Sequence, residues 1–285
     1  MNDFISQVRH FLAQQNLTFS QTDDFGLPFP HFYFSKTQLI IHCVALSSEV
    51  TNPFLFQEIS NQCAQKQQRI VHLWEDVWQR NPEIVKSRLL ASLGHSQRVP
   101  ARLTQARRLD KATLDAFLTI NHLQASTKAK LKYGLFLPEK HFSKIKNSER
   151  INIIHQASGI ASELLVAVAS FSGLKTYWRE QKPCRSAELI RFCNLLNCTV
   201  VGGLDKLLKA FIEEIEPDDL MTYADRDWSD GRSYQRLGFD LVEQTSPQAF
   251  WVDSQTFNRH KQPNADGHFK QIYNAGNFKF LKKLK

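Results

Sequence analysis

Two adjacent glycines, Gly202 and Gly203, lie between a short β-branched run, Thr199–Val201, and a segment with helical periodicity. A turn of this kind exposes the first backbone N–H groups of the following helix, which have no acceptor within the helix. The helix dipole favours negative charge at the same point, so the turn is suited to binding a phosphate or pyrophosphate. A simple tight turn is the alternative interpretation of the same two residues.

Regular elements on either side would hold this turn in place. An apolar stripe with helical spacing follows the glycines; its members are Leu204, Leu207, Leu208, Phe211, Ile212 and Ile215. Pro217 ends the predicted helix, and Leu220–Ala224 is predicted as a strand. Gly231–Leu237 is predicted as a short helix capped by Gly238, and Ala187–Cys193 as a strand before the turn.

The order strand, glycine turn, helix, strand, followed by the string Tyr-x-x-x-Gly-Phe from Tyr234, resembles the core of the GNAT acyltransferase fold. The resemblance implies that the turn holds the pyrophosphate of acetyl-coenzyme A or another acyl-coenzyme A. It also implies that Tyr234 protonates the leaving thiolate. The cofactor-binding residues implied are Val201, Gly202, Gly203, Leu204, Asp205 and Lys206. Leu204 departs from the family, which has a small residue there, and its side chain is expected to crowd a pyrophosphate.

A second resemblance covers nearly the whole chain. It is carried by the strings HLWEDVWQRNPEIVKSRLLASLG from His72, NHLQASTKAKLKYGLFL from Asn121, YADRDWSDGRSYQRLGF from Tyr223 and IYNAGNFKF from Ile272. These strings are similar to phage homing-endonuclease-like proteins, which join a Vsr-like nuclease domain of the PD-(D/E)XK class to a GNAT-like domain. The shared strings indicate the family, but they do not by themselves indicate which reaction the protein catalyses.

The nuclease half departs from that family at its metal site. Such a nuclease needs two carboxylates aimed at one divalent cation. His31 and His42 stand where the family has these acids, and Ala45 replaces a glycine. Imidazoles suit zinc or copper rather than magnesium, so a re-tooled metal site is one interpretation. We favour the other, an inactive nuclease-like domain without a metal, in which Asp23, Asp24, Glu75 and Asp76 are surface charges.

Three further residues are candidates for catalysis. His122 is a candidate general base, because a neutral imidazole can accept a proton near pH 7; a helix-capping role is the alternative. His122, Asp225 and Tyr234 also look like a looser counterpart, by type and order, of the set in the GNAT-like Mom DNA-modification protein of phage Mu. Candidate nucleic-acid contacts are Tyr177, Trp178, Arg226, Trp228, Arg232, Arg259 and Lys261. Their aromatic rings could stack on a flipped base, and core packing is the alternative for the tryptophans.

Composition limits the class of protein. The 285 residues carry a formal net charge of +8, 42% hydrophobic residues and 21 phenylalanines, so the chain can form a large core and suits a DNA partner. Neither an apolar run of membrane-spanning length nor a signal peptide is present, so we expect a cytoplasmic protein without a membrane partner.

Three segments are predicted within an α/β (α+β) fold. Residues 1–96 would form the degenerate nuclease-like domain, 97–258 the GNAT-like mixed-sheet domain, and 259–285 a basic C-terminal tail. We expect irregular basic segments at 97–108, 138–147 and 176–185. The leading functional prediction is acyl transfer to an amine, plausibly on a DNA base; the alternative is a DNA-binding protein without catalytic activity.

Overall fold

A computed structural model describes residues 3–21, 26–124, 127–146, 149, 151–152, 162–179, 181–263 and 268–285. Asp23 and Asp24 therefore lie outside the described residues. The chain folds into two compact units, each built from separate stretches of sequence. The first contains residues 1–86 and 223–280, and the second contains residues 87–222 and 281–285.

The helices, in chain order, are α1 (Asp3–Gln14), α2 (Leu55–Gln65), α3 (Glu75–Arg80), α4 (Pro82–Ser92), α5 (Lys111–Asn121), α6 (Gly203–Ile215) and α7 (Arg232–Arg236). The strands of the first half are β1 (His31–Phe34), β2 (Leu39–Val44), β3 (Arg69–Trp74), β4 (Gln97–Pro100), β5 (Gln105–Arg108), β6 (Leu131–Pro138) and β7 (Glu163–Phe171). Those of the second half are β8 (Lys175–Arg179), β9 (Lys182–Asn194), β10 (Cys198–Val201), β11 (Asp219–Asp225), β12 (Asp240–Gln244), β13 (Ala249–Asp253), β14 (Arg259–His260), β15 (Phe269–Tyr273) and β16 (Asn277–Lys283). Among the described helices, none has the length and apolar character needed to cross a membrane.

The first unit contains a three-stranded sheet in the order β1-β2-β3. β1 and β2 form an antiparallel hairpin, and β3 pairs with β2 in parallel. A second small sheet places β13 between β14 and β15. One apolar cluster joins the two ends of the sequence; its buried members are Val44, Phe56, Trp74, Val252, Ile272 and Ala275. Strands and core residues between Arg259 and Phe280 thus belong to this unit, although the sequence predicts a tail from residue 259.

The second unit is organised around a mixed sheet, which contains strands in the order β11-β9-β7-β6-β5. The pairs β5–β6, β6–β7 and β7–β9 are antiparallel, whereas β9 and β11 are parallel. Helix α6 connects parallel neighbours and packs on this sheet through Phe211, whose ring stacks on Phe171 at a centroid distance of 4.0 Å. The α/β class with a mixed sheet is confirmed.

Several boundaries differ from the predictions. The divisions after residues 96 and 258 do not coincide with the two compact units. The segment 97–108 forms β4, a 3-10 helix at Ala101–Leu103 and β5, because its alternating Val99, Ala101 and Thr104 are buried. The described part of 138–147 contains a 3-10 helix, Glu139–Lys144, anchored by buried Phe142 and Ile145. The segment 176–185 is a β-ribbon rather than a loop.

Candidate functional site

The glycine turn opens helix α6 without a side-chain cap among the described residues. Gly202 is the N-cap residue, in the left-handed conformation with φ of 77° and ψ of 9°, and no side chain caps the helix there. Glycine suits this φ because it has no Cβ to clash. Gly203 is small for another reason: a Cβ would lie 2.9 Å from the Cβ of Val200. The first-turn N–H groups are therefore free of the usual side-chain cap.

A long-range strand pairing brings a second segment to this turn. β4 pairs in parallel with β10, so that Pro100 is the partner of Val201. The 3-10 helix Ala101–Leu103 then follows beside the turn, and a Cβ built on Gly202 would lie 3.7 Å from the Cβ of Ala101. The chain thereby places residues about 100 positions apart at one helix N-terminus.

These elements surround a cavity of about 570 Å³. Its lining residues are Arg98, Pro100, Ala101, Arg102, Val201, Gly202, Asp205, Lys206 and Lys209. Four of the nine are cationic and one is acidic, so the wall carries net positive charge. Of the six predicted cofactor-binding residues, Val201, Gly202, Asp205 and Lys206 line this cavity. Leu204, expected to crowd a phosphate, is half-buried in α6 and is not among the lining residues.

The four cations differ in how they are held. The Lys206 ammonium donates hydrogen bonds to the carbonyls of Ala101, at 3.0 Å, and Thr104. It therefore ties the 3-10 helix to α6, and burial lowers its pKa. Lys209 forms an ion pair with Asp205 at 2.8 Å, which leaves the acidic residue neutralised. Arg98 and Arg102 are exposed at the cavity wall and can turn toward an anion.

This arrangement fits a phosphate-bearing ligand. A helix N-terminus without a side-chain cap, a net positive wall and exposed arginines match the oxygens of a pyrophosphate. The sequence pointed to the turn but missed Arg98, Arg102 and Lys209. The signal available for the arginines was the basic stretch after Gln97, whose pairing with β10 depends on a contact between distant segments.

The predicted catalytic residues divide between the two units. Tyr234 and Asp225 belong to the first, whereas His122 and the glycine turn belong to the second. The Tyr234 ring packs 5.8 Å from that of Phe239 and 5.4 Å from that of Phe280. The Asp225 carboxylate accepts a hydrogen bond of 3.0 Å from the amide of Asp227. The structure thus brings neither of them into the described lining of the cavity.

His122 is the C-cap residue of α5 and is half-buried. Its Nδ1 lies 3.0 Å from both the amide and the carbonyl of Gln124. Burial lowers the pKa of His122 to about 4, and the positive charges of Arg88 and Arg191 act in the same direction. The imidazole is therefore neutral at pH 7, but it is a weaker base than an ordinary histidine, whose pKa lies closer to neutrality.

The candidate nucleic-acid residues lie in different environments. Arg226 is 2% exposed, and its guanidinium donates to Asn61 at 2.7 Å and to Gln244 at 3.2 Å, so it holds elements of the first unit together. Arg259 forms two hydrogen bonds with the buried Asp76, at 2.6 and 3.1 Å. The expectation that Asp76 is a surface charge was wrong, because it balances this guanidinium.

The remaining candidates keep more surface. Trp228 is half-buried, Lys261 is exposed, and Arg232 is exposed in an ion pair with Asp230 at 2.7 Å. Tyr177 and Trp178 are 46% and 73% exposed. Core packing, the alternative for the tryptophans, therefore does not apply to Trp178. Glu75, also expected at the surface, accepts a hydrogen bond of 2.8 Å from the amide of Leu46.

His31 and His42 lie in register on β1 and β2, and His72 is the partner of His42 on β3. The Nδ1 atoms of His42 and His72 are 3.0 Å apart, and His72 Nε2 lies 2.9 Å from the Ser60 hydroxyl. Ala45 is buried after β2. Within the described ranges, no group of three or more histidine, cysteine or acidic residues has the geometry to hold a metal. The inactivity of a nuclease-like domain stays a prediction.

Comparisons with known proteins give fold similarities at low identity. No protein-family model matches the chain, and no curated protein matches it. Arabidopsis thaliana NAA60, in complex with a bisubstrate analogue, is similar with a TM-score of 0.36 and 8% identity, over 64% of this chain and 99% of that one. The ribosomal-protein-S18-alanine N-acetyltransferase from Escherichia coli has a TM-score of 0.33 and 12% identity, over 64% and 94%. A Bacillus subtilis acetyltransferase in complex with CoA has a TM-score of 0.33 and 12% identity, over 64% and 99%.

Proposed function

We propose that the protein is an N-acyltransferase of the GNAT type that uses an acyl-coenzyme A donor. The observation that carries this proposal is the cationic cavity at the uncapped N-terminus of α6. It lies where β10, which pairs in parallel with β4, leads through the glycine turn into α6. The next strand, β11, is parallel to β9. That order of elements is the one in which GNAT proteins bind the pyrophosphate of their donor.

The roles of the residues follow from their chemistry. An acyl-coenzyme A would supply an activated thioester. The amides of the first turn of α6 would hold its pyrophosphate, with Arg98 and Arg102 neutralising the charge. The neutral imidazole of His122 would accept a proton from the attacking amine, and the Tyr234 hydroxyl would donate a proton to the leaving sulfur. Lys206 would act by holding the cavity wall through Ala101 and Thr104.

Coenzyme A binding tests the cavity. A ligand that binds only the folded protein raises the unfolding free energy by about 2.7 kcal/mol at a concentration of 100 times Kd. We expect coenzyme A to raise the melting temperature of the parent protein. The double variant Arg98→Gln, Arg102→Gln should bind coenzyme A at least about tenfold more weakly, because charged hydrogen bonds contribute about 1.5–3 kcal/mol each. Lys128→Gln, an exposed cation elsewhere, is the matched control. No thermal shift and no heat of binding at millimolar coenzyme A would refute the transferase.

Tyr234→Phe tests the proton donor separately from donor binding. The variant keeps the ring packed against Phe239 and Phe280 and removes only the hydroxyl. We expect an unchanged thermal shift with coenzyme A and a turnover lower by about 10²–10⁴-fold, the range for general acid catalysis. Turnover is measured as thiol release with an amine acceptor; a variant as fast as the parent would remove Tyr234 from this role.

The finer proposal is that the acceptor amine belongs to a base in DNA. Its support is the net charge of +8 together with exposed aromatic and basic side chains. The second candidate function, favoured by the same exposed aromatics, is nucleic-acid binding without catalysis. If the protein binds DNA but does not bind coenzyme A, the second function is supported.

A further inference from the structure

The strands β8 and β9 form a two-stranded ribbon that extends past the mixed sheet. Residues 175–179 pair with residues 182–186 of β9. The pairing of β9 with β11 begins at Ser186, and its pairing with β7 begins at Leu189. Within the described chain, residues 182–184 therefore form strand pairs with β8 alone, and the Arg185 backbone also hydrogen-bonds to Asp218. Isolated two-stranded ribbons are only marginally stable in water, so a ribbon with little packing of its own is suited to contact a partner.

The ribbon exposes aromatic surface at its far end. Trp178 is 73% exposed and Tyr177 is 46% exposed, and Leu174 at the base is 37% exposed. Trp178 lies opposite Pro183, a residue too small to cover an indole ring. The other four tryptophans are all less exposed, and Trp74 and Trp78 are 1% and 3% exposed. An indole left this open retains a free π-face for stacking.

The charge beside these rings is positive. Lys175 and Lys182 are exposed on the ribbon. They share a face with Tyr177, whereas Trp178 lies on the other face, because side chains alternate along a strand. At its base, the aliphatic part of Lys130 lies 3.6 Å from the position of a Cβ on Gly173, and the Lys130 amide donates to the Phe171 carbonyl at 2.9 Å. The basic stretch from Lys128 to Lys132 thus continues the cationic surface. Arg185 does not add to it, since it is tied to Asp218 and the Glu216 carbonyl.

We propose that this ribbon binds single-stranded nucleic acid that crosses its edge, with a base stacked on Trp178 on one face, phosphates near Lys175 and Lys182 on the other face, and a phosphate near Lys130 at the base. Stacking on an aromatic ring requires an unpaired base, whereas a duplex offers only its edges and backbone. Exposed lysines suit a backbone that is contacted through charge rather than through fixed geometry. Binding of single-stranded nucleic acid at the ribbon does not require acyl transfer.

The test uses the full chain and a fluorescently labelled oligothymidylate, with a duplex of the same length as comparison. We expect tighter binding to the single strand and quenching of tryptophan fluorescence. Trp178→Ala should weaken binding by about 5- to 100-fold, the range for one stacked base, and should remove most of the quenching. Trp178→Phe should retain part of the affinity. Phe54→Ala, at an exposed aromatic elsewhere, is the matched control and should change neither.

The lysines provide a second, independent readout. Lys175→Gln and Lys182→Gln should each reduce the slope of log affinity against log salt by about 0.7, the value for one phosphate of a single strand. Equal binding to duplex and single strand, with no effect of Trp178→Ala, would overturn the proposal. So would self-association that is lost in Trp178→Ala, since the ribbon would then be a protein contact. The coenzyme A thermal shift is measured on the same variants, so failure of this proposal and failure of the transferase are separate results.

Discussion

His42 and His72 are buried side chains whose charge state couples folding to pH. Burial is the largest cause: it lowers the pKa of His72 to about 3 and that of His42 well below its usual range. The positive charge of Arg226 acts in the same direction on His72. The unfolded chain binds protons on these groups below about pH 6.5, and the folded protein does not. Stability is therefore full above pH 6.5 and is lost as the pH falls toward the folded values.

The double variant His42→Leu, His72→Leu should make stability less sensitive to acid. Each histidine contributes a slope of at most about 1.4 kcal/mol per pH unit below pH 6.5. Asp227 acts oppositely, because burial beside Asp225 raises its pKa to about 8, so its contribution falls as the pH rises. Its share cancels when the variant is compared with the parent. Urea midpoints between pH 7.5 and 5 provide the measurement, and parallel curves for both proteins would contradict the assignment.

Arg259 stabilises the first unit through Asp76. Its guanidinium also lies 5.9 Å from the Trp74 ring and 5.7 Å from the Phe250 ring. Arg259→Ala leaves the buried Asp76 carboxylate without its partner and should cost about 3 kcal/mol, the lower end of the range for a buried pair. Lys261→Ala, at an exposed neighbour, should change stability by less than about 0.5 kcal/mol. Equal denaturant midpoints for the two variants would show that the ion pair is not structural.

The glycine turn makes an element-scale prediction, because its two glycines serve different purposes. Gly202→Ala places a side chain in the left-handed region and should cost roughly 1–2 kcal/mol, while Gly202→Asn should cost less. Gly203→Ala forces its Cβ against Val200 and should cost about 1–3 kcal/mol. Chemical denaturation measures the unfolding free energy of all three variants. A Gly202→Ala variant as stable as the parent would exclude the strained turn. Gly203→Asp is a poor probe of phosphate binding, since it would disturb packing first.

Local elements could largely be predicted from sequence. α6 and β11 follow from apolar spacing and from Pro217. These segments follow from periodicity, which depends on neighbouring residues only. The ribbon at 175–185 was predicted as a loop, because its exposed strands carry little alternation of apolar and polar residues.

Long-range contacts could not be predicted in the same way. The pairing of β4 with β10 joins residues about 100 positions apart and supplies two arginines to the candidate site. The ion pair of Asp76 with Arg259 spans 183 positions, so an acid that resembles a surface charge in sequence is buried in the fold. Four lining residues of the candidate site were predicted because the turn is local. Of the others, Lys209 lies further along α6, whereas Arg98, Pro100, Ala101 and Arg102 depend on tertiary pairing.

At the scale of the whole molecule, the chain builds the first unit from its two ends. Residues 1–86 supply Val44, Phe56 and Trp74 to a core that Val252 and Ile272 complete. The first 96 residues are therefore not a self-contained domain in this structure. If residues 259–285 were only a basic tail without packing contacts, their removal would leave this core intact.

Truncation after Asn258 distinguishes these possibilities. It removes Arg259, the whole of β15, which pairs with β13, and Phe280, whose ring packs on Tyr234 and beside Gly231. We expect the shortened chain to lose its cooperative unfolding transition, followed by circular dichroism in urea. The control keeps every strand and removes only charge: Lys261→Gln with Lys283→Gln, both exposed, should unfold within about 0.5 kcal/mol of the parent. If this control variant binds nucleic acid, its affinity should depend less on salt than that of the parent, because it has fewer cations to neutralise phosphates. A truncated protein that unfolds with the parent's midpoint would show that the last strands are dispensable.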